Sequence, residues 1–371
     1  MNQLIFYNSF DIFVDTKNTH KLSKVPGGQS FSHFFNIFSK NITFVDRTNT
    51  VSIPLNCKTL LHLEMPAFET YSKHYYDICD ERAIQLYNQA VESGKKLVVM
   101  YSGGIDSSLI LCALLKNINE KELKENTIVL LSDLSIQENL NFYYDHIIKK
   151  FNCVSSYKFP YYIGNDEFLF ISGENADQLF GSQATGAYAV DKNYDIVFEP
   201  LEKTEGTIID WMYKRCGDKV SGEKMYFTLK KITDAAPIEI DNAFKYFWWL
   251  NFTTKWQSVY VRMLPFSRNK HTLKLEENYT TFYHTKDFQL WAMNNAITEL
   301  RGQHGKAIGK QVAKDYIFDY NGDLDYLNKP KIGSLSSLFK NKSTSTYIDS
   351  KMNYSNDYPN ESFYNYNNDF L

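Results

Sequence analysis

Residues 97–115 read LVVMYSGGIDSSLILCALL. An apolar run of strand length leads into a polar turn with two glycines, and an apolar, helix-forming run follows. Gly103 and Gly104 let the backbone turn sharply and approach a ligand closely. Serine hydroxyls and the amides at the start of a helix form an anion site, and Asp106 adds a carboxylate suited to a phosphate-bound Mg²⁺. The stretch therefore predicts a phosphate-binding loop between a strand and a helix.

The segments around this loop alternate between strand and helix patterns. Strands are predicted at residues 127–131, 153–159 and 168–171, and helices at residues 75–93 and 138–150. This alternation is typical of a doubly wound α/β fold with a parallel sheet. Ligands in such sheets bind beyond the carboxyl ends of the strands, which is where the polar turn lies.

A second polar turn follows the strand predicted at residues 168–171. It reads SGENADQLFG over residues 172–181. The first turn resembles the Ser-Gly-Gly-x-Asp-Ser loop of the ATP pyrophosphatases, which cut ATP to AMP and pyrophosphate. The second resembles the Ser-Gly-Glu-Gly-x-Asp-Glu-Leu-Phe-Gly motif of the asparagine synthetases, with Asn175 for a Gly and Gln178 for a Glu. Together with YYD at residues 75–77, which resembles the family's Tyr-Trp-Asp, the chain resembles the synthetase domain of that family.

Three later segments resemble the family's remaining motifs less closely. The sequence ENYTTF at residues 277–282 keeps the first and last residues of Glu-x-Arg-x-Pro-Phe. The sequence GKAIGK at residues 305–310 resembles Lys-x-x-x-Arg, with Lys310 in place of the arginine, and KPKIG at residues 329–333 resembles Arg-x-Lys-x-Gly. The motifs that would bind ATP therefore match the family more closely than the motifs that would bind the acyl acceptor.

The resemblance implies an enzyme that binds ATP and Mg²⁺. Asp106 and Asp177 are the two carboxylates that it implies for the metal. The residues implied to contact ATP lie at the predicted carboxyl ends of strands and in the turns that follow: Tyr101, Ser102, Gly103, Gly104, Asp106, Ser107, Ser108, Ser132, Ser172 and Gly173. The first-turn hydroxyls and amides would cradle phosphates.

The implied reaction is formation of an amide from a small-molecule carboxylate. ATP would adenylate the carboxylate with release of pyrophosphate, and ammonia or another amine would then attack the acyl group. Glu174 is implied to accept a proton from the nitrogen or to hold the tetrahedral intermediate. Lys331 and Lys306 are implied to stabilise negative charge, and Glu277 is a further candidate catalytic residue.

The predicted domain organisation departs from that of complete asparagine synthetases. Those enzymes begin with a glutaminase domain that carries a nucleophilic Cys after the initiator Met, whereas this sequence has Asn2. We therefore expect free ammonia, an amine on the substrate or a separate glutaminase subunit to supply nitrogen. Residues 1–70 are predicted to form a small β-rich extension, residues 71–333 the ATP pyrophosphatase domain with a helical C-terminal part, and residues 334–371 a polar, tyrosine-rich, weakly ordered tail.

Composition narrows the function classes and the location. The net charge is -3, which does not indicate nucleic-acid binding. Five scattered cysteines without a Cys-x-x-Cys fit a reducing, cytoplasmic setting. No signal-like start or membrane-spanning run is present, so no membrane partner is expected.

The aromatic-rich residues 244–256 are interpreted as buried helix surface, with a substrate wall or a homodimer contact left open.

Two other functions remain open from the sequence. One is a different adenylating enzyme on the same scaffold, such as a nucleobase or RNA modification enzyme. The missing Cys pair argues against a sulfur-transferring version. The other is a non-catalytic nucleotide-binding module, which would not require Asp106, Glu174 and Asp177 together.

Overall fold

The computed structural model describes two compact units. The described residues are 3–7, 43–51, 58–181, 188, 194–216, 219–295, 310–328, 347–349, 351 and 354–355. The first unit consists of residues 1–68, 177–265 and 345–371, and the second of residues 69–176 and 266–344. This division groups residues 177–265 with the N-terminal segment, whereas the sequence-based boundaries at 70 and 333 group them with the loop at residues 102–104.

The strands and helices are numbered in chain order. The described strands are β1 (Gln3–Tyr7), β2 (Lys58–Thr59), β3 (Lys96–Met100), β4 (Thr127–Leu131), β5 (Asn152–Ser155), β6 (Phe168–Ser172), β7 (Tyr279–Thr281), β8 (Tyr347–Asp349) and β9 (Tyr354–Ser355). The described α-helices are α1 (Tyr75–Glu92), α2 (Ile105–Asn117), α3 (Glu120–Asn126), α4 (Asp133–Glu138), α5 (Leu140–Phe142), α6 (Phe159–Tyr162), α7 (Ala176–Phe180), α8 (Leu201–Cys216), α9 (Lys219–Asp234), α10 (Ala243–Thr254), α11 (Trp256–Val261), α12 (Lys286–Asn295), α13 (Gln311–Asn321) and α14 (Leu324–Asn328).

The second unit is built on a five-stranded sheet in the order β5-β4-β3-β6-β7. All neighbouring strands are parallel, and Val99 of β3 pairs with Val129 on one side and Ile171 on the other. The predicted parallel α/β sheet is therefore confirmed. The chain adds β4 and β5 on one side of β3 and then places β6 and β7 on the other side. The carboxyl end of β3 is thus the switch point at which α/β sheets bind ligands.

The centre of this sheet explains why residues 97–115 decide the fold. The side chains from Leu97 to Met100 are buried, as expected for a central parallel strand covered on both faces. Helix α2 also buries most of its length, from Ser107 to Leu114. Burial of this much apolar surface on two consecutive elements gives the unit its core.

Two of the predicted elements differ in extent from the structure. The helix predicted at residues 138–150 is interrupted, because Asn139 leaves the helical conformation with φ -144° and its side chain accepts a hydrogen bond from Phe142 N. A short π-helical turn, Tyr143–Ile147, follows. Such local side-chain bonds compete with helix propagation. The strand predicted at residues 153–159 ends at Ser155, where a 3₁₀ turn begins.

The first unit contains a four-stranded sheet in the order β2-β1-β8-β9. Strand β1 pairs in parallel with β2 and antiparallel with β8, so Leu4 lies opposite Asp349. The sequence predicts strand residues in the N-terminal extension but does not predict this partner, because residues 347–349 lie in the segment expected to be a weakly ordered tail. The other tail residues that the structure describes include β9, which pairs with β8.

The aromatic-rich helix α10 is buried almost all round, which agrees with its interpretation as buried helix surface. The indole nitrogens of Trp248 and Trp249 donate to the backbone oxygens of Leu179 and Ile232. These bonds satisfy the polar atoms of side chains that are otherwise packed among apolar groups.

Gln257 of α11 joins three separate segments of the first unit. Its Oε1 accepts from the backbone nitrogens of His62 and Leu63 at 2.7 and 3.1 Å. Its Nε2 donates to the oxygens of Ile5 and Leu60 at 3.1 and 2.8 Å. The side chain is fully buried, and its amide satisfies four backbone groups of the first unit.

None of the described helices combines the length and the apolar character that a membrane-spanning segment requires.

We expect Gln257→Glu to lower the free energy of unfolding of the first unit by roughly 3–5 kcal/mol. The substitution keeps the shape of the side chain but places a negative charge where Nε2 donates to two carbonyl oxygens. Urea denaturation followed by tryptophan fluorescence measures the change. Gln85→Glu adds the same charge at an exposed amide whose Oε1 accepts from Arg82 Nη1 at 2.9 Å, so it should not lower stability. Equal effects of the two substitutions would contradict the role assigned to Gln257.

Candidate functional site

The candidate site lies at the carboxyl ends of β3 and β6 in the second unit. After β3 the chain turns at Gly103, whose φ of +75° lies in the left-handed region. Gly104 then begins α2 in an extended conformation, and no described side chain caps the helix there. The backbone amides at the start of this 13-residue helix therefore carry the partial positive charge that attracts anions.

The serine hydroxyls hold the first turn in shape. Ser107 Oγ accepts from Ser102 N at 3.0 Å and lies 2.9 Å from Ser102 Oγ. Ser102 Oγ also accepts from Gly104 N at 3.3 Å, and Ser108 Oγ donates to Gly103 O at 3.3 Å. The turn is thus pre-organised by its own hydrogen bonds.

Gly103 is required for its backbone conformation and also because the site has no room for a side chain at this position. A Cβ atom there would lie 2.3 Å from Ser135 O and 2.5 Å from Glu138 Cβ, both in α4. Glu138 is buried. Helix α4 therefore packs directly on the turn, and Glu138 is a neighbour of the loop that no sequence motif indicates.

The second turn meets the first at Asp106. A Cβ on Gly173 would lie 3.1 Å from Asp106 Cβ and 3.3 Å from Ser107 N. The glycine thus permits the close approach of two turns that are distant in sequence. Glu174 follows and is buried, with its backbone nitrogen 3.5 Å from Ser172 Oγ. The structure therefore brings Asp106, Ser107, Gly173 and Glu174 to neighbouring strand ends.

Asn175 shows why the second motif tolerates a residue other than glycine. Its φ is 71°, a conformation that glycine adopts freely and that asparagine adopts more readily than most residues. Its Oδ1 accepts a hydrogen bond from Thr281 Oγ1 of β7 at 3.0 Å. The replacement therefore preserves the backbone of the turn and adds a bond to the edge strand.

Lys310 is a charged residue of this site that was not among the site residues predicted from the sequence. Its Nζ lies 2.6 and 2.7 Å from the two carboxylate oxygens of Asp106. The side chains of Lys310 and Asp106 are only 15% and 19% exposed. The likeness of residues 305–310 to Lys-x-x-x-Arg was the signal for this residue, since Lys310 takes the arginine position.

Two tyrosines also contact the first turn. Tyr283 Oη donates to Asp106 O at 2.9 Å. Tyr326 Oη donates to Gly103 O at 3.0 Å and lies 3.1 Å from Ser108 Oγ. Burial raises the pKa of Tyr326, so its phenol remains a donor at neutral pH. Nothing in the sequence distinguished these two from the other tyrosines of the chain.

Two further predicted ATP contacts lie at strand ends in structural roles. Ser132 follows β4 and caps α4 reciprocally with Ser135, with Ser132 Oγ accepting from Ser135 N at 3.2 Å. Tyr101 follows β3 and is buried, and burial raises the pKa of its phenol. The Ser132 hydroxyl is thus occupied as a helix cap.

Glu277 is not brought to these residues. It precedes β7, at the amino end of that strand, whereas Ser172 pairs with Thr281 at the carboxyl end. Its side chain is 63% exposed and lies 3.1 Å from Lys274 Nζ. The catalytic assignment of Glu277 is therefore corrected to a surface carboxylate, because a parallel strand separates it from the edge where the turns meet. Lys306 and Lys331 lie outside the described residues.

Asp177 belongs to the first unit, where it is exposed at the start of α7. Its backbone oxygen accepts from Asn251 Nδ2 of α10 at 2.9 Å. One helical turn beyond Asn251, the pKa of Lys255 is lowered to about 8, mainly by burial; the charge of Asp177 acts in the opposite direction and that of Arg262 in the same direction as burial. The sequence analysis did not single out Lys255, which is the cationic neighbour of this predicted metal ligand.

Gln178, the other departure in the second motif, is buried in the first unit. Its Nε2 donates to Asn251 Oδ1 at 3.3 Å. A carboxylate at this position would place two oxygens together, so the amide suits the neighbour that this chain provides.

Within the part of the chain that the structure describes, no three His, Cys, Asp or Glu side chains are grouped to hold a metal ion. The ammonium of Lys310 contacts both oxygens of Asp106, so this carboxylate is already paired with a cationic side chain. Mg²⁺ is usually held by one or two carboxylates together with water and substrate phosphates.

A comparison with protein-family models finds no matching family, and a comparison with curated proteins finds no matching relative. The resemblance to the asparagine synthetases therefore stays a prediction from the motifs.

We expect Gly103→Ala to destabilise the second unit by about 1–3 kcal/mol more than Gly94→Ala. Both glycines have positive φ, +75° and +69°, so the backbone cost of alanine, about 1–2 kcal/mol, is shared. Only Gly103 lacks space for a Cβ, since nothing lies within 4 Å of one at Gly94. Thermal unfolding of the two variants measures the difference. Equal destabilisation would show that α4 does not confine the turn.

Proposed function

We propose that this protein is an ATP-dependent amide-forming ligase that adenylates a small carboxylate and transfers ammonia or another amine to it. The observation that carries the proposal is the meeting of two polar turns at the side chain of Asp106, at the switch point of a parallel sheet. A pre-organised glycine turn at a helix N-terminus suits the phosphates of a nucleotide.

The residues of the first turn would hold the triphosphate. The amide of Gly103 is a donor of the type that phosphate accepts. The amide of Gly104 and the hydroxyls of Ser102, Ser107 and Ser108 would exchange their hydrogen bonds within the turn for bonds to phosphate oxygens. Mg²⁺ held by Asp106 would neutralise charge on the phosphates. Asp177 stays a metal ligand that the resemblance alone implies. Nucleophilic attack by a carboxylate oxygen on the α-phosphorus would break the bond to the β-phosphate and release pyrophosphate.

Glu174 would act in the second step. Attack of nitrogen on the acyl carbon expels AMP and leaves a proton on the nitrogen, which needs an acceptor. Glu174 is buried and follows directly on the turn that contacts Asp106, which supports this role. Lys306 and Lys331 keep the roles that the resemblance implies. Nitrogen would come from ammonia, from the substrate or from a separate glutaminase subunit.

The reaction is tested by incubating the protein with ATP, Mg²⁺, ammonia and a panel of small carboxylic acids. We expect release of AMP and pyrophosphate in equal amounts with at least one acid, and trapping of the acyl group as a hydroxamate when hydroxylamine replaces ammonia. Release that requires RNA instead of an acid would point to a modification enzyme. No release under either condition would contradict an adenylating enzyme.

Two variants separate the steps. We expect Asp106→Ala to abolish pyrophosphate release, because the phosphates lose their metal carboxylate. Glu174→Gln should retain ATP binding and lose amide formation, because the amide cannot accept the proton. Calorimetry with ATP and chromatography of the product measure the two properties. Glu125→Gln, at an exposed carboxylate, is the matched control, and wild-type turnover by Glu174→Gln would remove Glu174 from the mechanism.

A further inference from the structure

We propose that Lys310 competes with a divalent cation for the carboxylate of Asp106, so that this carboxylate binds a cation weakly until a nucleoside triphosphate supplies further ligands. The proposal deepens the proposed function, on which it rests for the identity of the nucleotide. Its basis is the contact of one ammonium with both carboxylate oxygens, at 2.6 and 2.7 Å.

The contact is shielded from water. Both side chains are more than four-fifths buried, so their attraction is screened less than that of an exposed pair. A metal ion on the same oxygens would lie close to the ammonium, and two cations at that separation repel each other. Occupancy of Asp106 by one cation therefore opposes occupancy by the other.

Asp106 itself has little freedom to move away from Lys310. Tyr283 binds its backbone oxygen, and its Cβ packs against Gly173. The ion pair must therefore be broken by movement of the Lys310 side chain, whose four-carbon chain is flexible.

The backbone of Lys310 has a strained conformation, and the helix that follows it is held by other residues. Lys310 precedes α13 with φ 68°, a conformation that is costly for a lysine. Helix α13 is fixed independently, because Tyr316 donates to Asp80 and its ring lies 5.1 Å from Lys116 Nζ. The side chain of Lys310 can thus leave Asp106 without displacing the helix.

A bound triphosphate supplies further ligands, which allow the cation to displace Lys310 from Asp106. Mg²⁺ and Mn²⁺ gain phosphate oxygens as ligands when nucleotide binds, and the same phosphates attract the displaced ammonium. Cation binding and nucleotide binding are then coupled through Lys310.

The test measures binding of Mn²⁺ by electron paramagnetic resonance, with the full-length protein and without turnover. We expect Lys310→Met to bind Mn²⁺ alone about tenfold more tightly than the wild type, within the usual range of coupling between two sites. A non-hydrolysable ATP analogue should strengthen Mn²⁺ binding by the wild type more than by Lys310→Met. Lys310→Arg should behave as the wild type.

Controls separate competition from a general loss of charge. Lys314→Met removes the same charge one turn along α13 and should leave Mn²⁺ affinity unchanged, and adding Asp106→Asn to Lys310→Met should abolish the tight site. Lys310→Gln replaces Lys310→Met if the latter does not fold. Equal Mn²⁺ affinity of the wild type and the folded Lys310 variant overturns the proposal. If the analogue does not bind while that variant still binds Mn²⁺ more tightly, the proposed function fails and the competition stands.

Discussion

The side chain of Asp106 is the point on which the second unit's site depends. Helix α2 carries it, the turn after β6 packs against it at Gly173, and Lys310 neutralises it from the start of α13. A partly buried carboxylate is costly unless it is paired. Three elements are therefore held to one another by the requirement to place and balance a single charge, and removing that charge would loosen each of them.

The replacements in the second turn follow local physical requirements. Asn175 occupies a left-handed position where glycine is the usual residue, and its side chain gains a bond to β7. Gln178 pairs with the amide of Asn251, where a glutamate would face an oxygen. Neither replacement disrupts the backbone of the turn. The departures that weakened the sequence resemblance are thus compatible with the same local structure.

Local sequence determined what could be predicted, and distant contacts determined what could not. The strand, turn and helix at residues 97–115 were predictable because burial and glycine conformation act within a few residues. Tyr283 and Tyr326 reach the loop from segments with no periodic or compositional signal, and the contact of Lys310 with Asp106 was indicated only by a weak motif likeness. Glu277 was misplaced because the three-residue strand β7 puts it at the opposite end of the sheet from Thr281. Asn139 interrupted a predicted helix through a side-chain bond that periodicity does not report.

The pairing of β1 with β8 has a consequence for biosynthesis. Leu4 is translated before every strand of the five-stranded sheet, whereas its antiparallel partner Asp349 is translated after all of them. A contact of such wide sequence separation is slow to form. The nascent chain must therefore carry the apolar residues of β1 exposed, or covered by a chaperone, until β8 has been translated.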